Sequence, residues 1–360
     1  MHRILGLSTF LWACGAPAGP WVPSTGRPPE WLSTLGLMAY DDGQVTYPEG
    51  VVPYTLNTPL FSDYTEKERA FFLPEGEAMA FSTDRVFDLP VGAAVLKTFL
   101  LPRDLRDPEA GRDVIETRLM IHTARGWQNW PYVWNDDRSD ARLRVQGGVQ
   151  NLSFIDQDGA SVTFPYLVPQ RNQCQECHEL KDDDDRTYIT LIGPRSRNLD
   201  LEQPTGGGQL EHLASLGLLE GLTSERPRPA IDWATFMQDG LDRPYEEIDV
   251  AARDYLDVNC GHCHNPRGVN GITSQLFLNW DSTDEFRLGK CKRPGSAAQG
   301  TGGLTYDIVP GDHTQSILHY RMVTDDPGAM MPQLGRSLVH HEAVALIAAW
   351  IDGMEPEDCD

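Results

Sequence analysis

Positive charge is scarce in this sequence: 30 Lys and Arg stand against 53 Asp and Glu, a formal net charge of −23 at pH 7. That balance disfavours long-range attraction to nucleic acid or anionic lipid and favours a basic docking partner, although solubility alone accounts for it equally well. A membrane-crossing run is missing at the start, where the apolar stretch from Ile4 to Ala13 is too short to span a bilayer. Cysteine is sparse as well, with seven in 360 residues, so each can be given its own account. The length suffices for two or three compact domains, each burying a core.

Four of those cysteines fall in two copies of one pattern, Cys174-Gln175-Glu176-Cys177-His178 and Cys260-Gly261-His262-Cys263-His264. Two cysteines three apart with histidine directly after is the spacing at which two thioether bonds fix a haem while the histidine reaches its iron. Two CxxC pairs could also supply the four ligands of a structural zinc. The histidine in the same place after both pairs favours two covalently bound haem c groups, with His178 and His264 as iron ligands. Met331, followed by Pro332, is the candidate sixth ligand at the second site, because a thioether is a soft neutral donor and proline stiffens its loop. Met330 is its competitor. His313, His319, His340 and His341 read as surface or structural residues, with the first two kept in view. The ring of His264 is expected to donate to a nearby carbonyl, Pro266 being a candidate. For the first site no ligand stands out among Met237, His212, Met120 and His122, and an open position is as well supported.

The first residues read as a targeting segment. His2 and Arg3 precede the apolar stretch, and Leu11-Trp12-Ala13-Cys14 resembles a bacterial lipoprotein signal. The resemblance implies cleavage after residue 13, lipid on Cys14 and, with Gly15 rather than Asp next, an outer-membrane lipoprotein on the periplasmic side. An ordinary secretory signal is the alternative. Cys291 and Cys359 then remain in an oxidising compartment and are expected to pair.

The fold class expected is multidomain α+β: a β-rich, sandwich-like N-terminal domain followed by a mainly helical region of cytochrome c type. Residues 1–13 form the signal, 14–40 a Pro/Gly-rich tether, 41–170 the β-rich domain, 171–244 an atypical first haem region and 245–360 a class I-like cytochrome c domain. Strands are expected at 54–56, 69–73, 78–81, 95–101, 114–121, 150–155 and 161–168, with Asp158-Gly159 turning the last two into a hairpin. Trp127, Trp130, Tyr132 and Trp134 form an aromatic cluster of sheet-face or core character, and no catalytic constellation stands out in this domain. Asp182 to Asp185 read as an exposed loop, with calcium binding as the sharper alternative. Apolar residues at helical spacing over 246–259 deliver Cys260, and a second such run over 339–351 follows Ser337, a candidate N-cap.

Several stretches together resemble a bacterial family of dihaem c-type cytochromes in which a β-rich segment precedes two CxxCH sites. They are Leu56 to Tyr64, Lys97-Thr98-Phe99, Glu116-Thr117-Arg118-Leu119, Tyr132 to Asn135, Ile192-Gly193-Pro194, the second haem motif and Met330-Met331-Pro332, where Gln333 departs from the commoner second proline. The resemblance implies electron transfer in the cell envelope with a redox partner protein, membrane association only through a lipid anchor, and no nucleic acid. A non-enzymatic carrier is favoured. The alternatives are a dihaem peroxidase using the first haem, which peroxide turnover by the reduced protein would reveal, and haems serving a substrate-binding β-domain.

Overall fold

A computed structural model describes residues 20–22, 27–202, 206–268, 274–295 and 298–360. The signal segment, Cys14 and residues 15–19 and 23–26 of the proposed tether lie outside them. The chain is a mixed α/β protein in which a six-stranded antiparallel sheet is followed by several helices. No helix among the described residues is long and apolar enough to cross a membrane.

The strands are β1 (Ala39–Asp41), β2 (Gln44–Thr46), β3 (Val51–Pro53), β4 (Glu66–Phe72), β5 (Met79–Ala80), β6 (Ala94–Pro102), β7 (Arg112–Thr123), β8 (Gly126–Trp134), β9 (Ala141–Leu143), β10 (Gly148–Ile155) and β11 (Ser161–Val168). The main sheet runs β3-β4-β6-β7-β8-β9. Strand alternation sorts its side chains. One face sends Ala70, Leu96, Leu119, Ile121, Trp130 and Tyr132 into a core closed by Leu32, Leu35 and Leu37. Those three leucines are at most 2% exposed, so the folded body already includes residues assigned above to the tether. The opposite face carries Phe71, Val95 and Met120, packed against Leu191, Leu199, Leu210 and Leu213, and further along Leu101 and Ile115 under the β10–β11 hairpin.

This corrects the sandwich expected for residues 41–170. The second layer is a two-stranded hairpin together with later segments of the chain, not a second sheet of similar size among the described residues. The hairpin turns where expected, with Gly159 at φ 85° and the Asp156 carboxylate accepting from the backbone of Asp158 and Ala160. Strand β8 is the aromatic stretch itself. Trp130, Tyr132 and Trp134 point to the core and are no surface platform.

Beyond the sheet come α1 (Gln175–His178), β12 (Glu179–Lys181), β13 (Thr187–Ile189), α2 (Ser196–Leu199), α3 (Gln209–Ser215), β14 (Leu219–Glu220), α4 (Trp233–Gln238), α5 (Tyr245–Asn259), α6 (Glu285–Leu288), α7 (Ile317–Val323) and α8 (His341–Asp352). Residues 171–244 build no core of their own. Leu191 to Leu222 pack on the sheet and β14 pairs with β5, whereas Ile231, Trp233 and Phe236 join the helical core. That core is Ile248, Ala251, Ala252, Tyr255 and Leu256 of α5 against Ala343, Leu346, Ile347, Trp350 and Ile351 of α8. Full burial of each large apolar side chain there contributes about 1.5–3 kcal/mol.

Two fastenings hold the helical part to the rest, and a disulfide closes a loop within it. Asp254, fully buried on α5, accepts from Arg197 at 2.5 Å, from Arg228 at 2.7 and 2.9 Å and from the backbone of Ile231 at 2.9 Å. Ser337 does not cap α8: its N–H donates to Asp63 at 2.6 Å and its hydroxyl to the Pro165 carbonyl at 2.5 Å, which ties the α8 approach to the sheet. Cys291 and Cys359 are joined by a disulfide with Cα atoms 5.0 Å apart.

Candidate functional site

The first motif follows β11 through Pro169 and a tight turn. His178 N–H donates to the Cys174 carbonyl at 3.0 Å, closing one helical turn that carries Cys174, Cys177 and His178 at positions i, i+3 and i+4 on one side. The chain then doubles back as the β12–β13 hairpin, and Thr190 holds His178 twice. Its N–H donates to the His178 carbonyl at 2.7 Å, and its own carbonyl lies 2.8 Å from His178 Nδ1. With Nδ1 committed to a carbonyl, Nε2 is the nitrogen left for a metal ion. Burial pushes the His178 pKa below the ordinary imidazole range, so the neutral, ligating form prevails.

The second motif ends α5. Cys260 N–H donates to Leu256 at 2.8 Å and His264 N–H to Cys260 at 2.9 Å, which repeats the geometry of the first copy. Glycine is required at 261, where a Cβ would sit 2.7 Å from the Asp257 carbonyl. His264 is half-buried, and desolvation pushes its pKa down to about 4. The ring's neighbours are Ser274, whose Oγ is 3.4 Å from Nδ1, and the backbone of Leu276, in place of the Pro266 carbonyl.

The two motifs meet. Strand β12 bridges to the loop after the second motif through Leu180 and Gly268, with Lys181 N–H donating to the Arg267 carbonyl at 3.0 Å and Arg267 paired with Asp183 at 2.8 Å. The Asp182–Asp185 stretch is thus an exposed turn joined by arginines. Gly268 is fixed by sterics, since a Cβ there would fall 2.2 Å from the Cys263 carbonyl. Cys263 in turn donates to the Glu176 carbonyl at 3.3 Å, and ligand atoms of Cys177, His262 and Cys263 all lie within 4.8 Å of one another. The Cys263 thiol and then the His262 ring hold Cys177 well below the usual thiol range despite its burial, while burial pushes Cys260 up to about 12.

Both motifs open on one cavity of about 580 Å³, between the sheet and the helical part. All four cysteines, His178 and His264 line it. Met331 lines it too and Met330 does not, which separates the two candidate methionines. Of the four residues weighed for the first site, only Met120 reaches the cavity wall. His122 is instead stacked on Trp127 at 4.6 Å and bonded to the Leu89 carbonyl at 2.7 Å, and Met237 packs on the helical core. His313 pairs with Asp352 at 2.8 Å and rests against His319. His340 does line the cavity, stacked on Phe61 at 4.0 Å and bonded through Nδ1 to the Tyr255 hydroxyl at 3.1 Å.

The lining reverses the charge of the chain, for Lys and Arg outnumber Asp and Glu along it, among them Arg69, Lys97 and Arg118 from the sheet. Sequence reasoning passed over these three as site residues. The available signal was a basic residue at alternating positions of strands whose neighbours are apolar. Apolar walls from Val95, Met120, Leu191, Leu276, Leu278 and Ile317 complete the lining. Imidazoles whose pKa desolvation lowers, neighbouring thiols, apolar walls and inward cations form a lining that suits a large, partly apolar, anionic group.

Compared with models of protein families, with curated proteins and with solved structures, the chain matches none.

Proposed function

We propose that the chain is a dihaem c-type cytochrome that transfers electrons in the bacterial cell envelope. The observation that carries this reading is the pairing of two Cys-x-x-Cys-His turns on one cavity, each with its histidine in the cavity wall. Cys174 and Cys177 would hold one haem and Cys260 and Cys263 the other, with His178, His264 and Met331 offered to iron. Bound haem supplies one-electron chemistry at iron. The chain positions each imidazole through its other nitrogen, keeps both attachment turns in contact, and shields the site with apolar walls. The acidic chain suits a basic redox partner. Lipid on Cys14 would keep the protein at the periplasmic side of the outer membrane.

A second reading is favoured by one observation, the Cys177–His262–Cys263 group, which could hold a metal ion such as zinc. Three ligands fall short of the four of a structural zinc site, and this reading leaves Cys174, Cys260 and both following histidines without a role. A pyridine haemochrome spectrum and a zinc assay on the same purified sample separate the two. Thioether-linked haem with no stoichiometric zinc supports the cytochrome; zinc without haem overturns it.

A further inference from the structure

Three cations stand in a row across the cavity side of the main sheet. Arg69 of β4 is the direct partner of Lys97 of β6, and Lys97 is the direct partner of Arg118 of β7. Like charges placed opposite one another on neighbouring strands repel, and charges removed from water need counter-charges. The sheet offers little of either remedy. Arg118 pairs with the buried Glu116, whose same oxygen also accepts from Tyr166 at 2.6 Å. Arg118 Nε nonetheless has no hydrogen-bond partner among the described residues, the guanidinium resting over the Phe99 ring at 4.4 Å. Arg69 is 8% exposed, gives Nη1 to the Lys67 carbonyl at 3.1 Å and leaves Nη2 buried without a hydrogen-bond partner among the described residues. Lys97 rests over the Phe99 ring at 5.0 Å, and its Nζ has no hydrogen-bond or ion-pair partner among the described residues.

Other carboxylates close by are already engaged. Glu68, next to Arg69 in sequence, pairs with Arg112 at 2.6 Å. Asp63, near Lys67, accepts from the backbone of Ser337 and Leu338. Lys67 itself adds a fourth cation beside the row, its Nζ donating to the Thr65 carbonyl at 2.5 Å. The row faces the first motif, for Lys97 lies within electrostatic reach of Cys177 and His178, and Arg118 of Cys174. In a chain of net charge −23, so concentrated a positive wall is a built feature and no by-product of composition.

We infer that Arg69, Lys97 and Arg118 form an anion seat at the first motif that takes paired acid oxygens, either the carboxylates of the group attached at Cys174 and Cys177 or a small oxyanion. The first source rests on the cytochrome reading; the second does not. Arginine forks and a lysine suit carboxylate and oxyanion geometry equally.

The test uses the full-length mature protein and the variants Lys97→Gln, Lys97→Met and Lys97→Arg, with haem content measured first. If the seat holds haem carboxylates, Lys97→Gln and Lys97→Met keep both haems and lower the midpoint potential of one of them, because a cation that favoured the reduced iron is gone. Lys97→Arg restores that potential, and sodium sulfate has no effect on the wild type. If the seat holds a free oxyanion, the wild type binds sulfate saturably and Lys97→Gln loses at least tenfold in affinity. Wild-type potentials in Lys97→Gln and Lys97→Met, together with no sulfate binding by the wild type, overturn the inference. A chain that carries no haem sinks the cytochrome reading alone, since sulfate titration of the wild type then decides the seat.

Discussion

Cys263 and Glu176 lie 87 positions apart in sequence, yet the thiol of one donates to the carbonyl of the other at 3.3 Å. This contact makes two motifs one site. It depends on β12, which turns straight out of the first motif and bridges through Leu180 to Gly268 just past the second. On the proposed cytochrome reading, two turns so close would put both haems in a common cavity, an arrangement suited to passing electrons between them.

Met331 is expected to ligate one iron only. Met331→Ala should abolish the near-infrared sulfur-to-iron band of one haem and leave the other haem's spectrum as it was, whereas Met330→Ala, outside the cavity wall, should change neither. A band that survives Met331→Ala contradicts the assignment.

Asp254 concentrates the electrostatics of the joint between the helical part and residues 195–231. Asp254→Asn leaves the buried Arg197 guanidinium with only the longer contact to Asp257 at 3.9 Å for charge compensation, and removing the close partner of such a pair costs about 3–5 kcal/mol. Urea unfolding monitored by far-ultraviolet circular dichroism checks this; a loss below about 1 kcal/mol would mean water already reaches the pair.

The first and second halves of the sequence differ in how openly they state their structure. Strands β6, β7, β10 and β11, together with α5 and the α8 helix, follow from apolar periodicity and turn chemistry, which are local. Strand β8 hides because Asn129 and Pro131 interrupt its alternation, although its aromatics fill the core. The expected strand at 54–56 is displaced to Val51–Pro53, and Tyr54 instead stacks on Phe71 at 4.0 Å. Both motifs are plain in the sequence. Their union is not, since it arises from one short bridge and two glycine positions. Lys97 is equally hidden: only the register β4-β6-β7 reveals that its neighbours across the strands are arginines.

Acid should weaken the fold through His340. Burial first, then Lys67 and His341, push its pKa down to about 3, against an unfolded value near 6.5. The native ring stays neutral while the unfolded chain takes up a proton, so the contribution is full above pH 6.5 and is lost as pH falls towards 3, by at most about 1.4 kcal/mol per pH unit. Urea midpoints at pH 7 and pH 5 should differ less in His340→Gln than in the wild type. Equal differences would contradict the assignment.

The Cys291–Cys359 disulfide closes a loop of 68 positions around α7 and α8. The double substitution Cys291→Ala, Cys359→Ala should destabilise the protein by about 2–5 kcal/mol in urea unfolding while both prosthetic groups stay attached, because neither residue lines the cavity. Loss of a haem in that variant would show that the bridge also shapes the site.

The most direct test is the intact mass of the denatured protein, purified from the envelope of a host able to attach haem, beside the variants Cys174→Ala, Cys177→Ala and Cys260→Ala, Cys263→Ala. A dihaem cytochrome shows the mass of two haems added to the wild type and of one added to each double variant. A wild-type mass with no haem addition, or two additions that survive the loss of either motif, would contradict that reading.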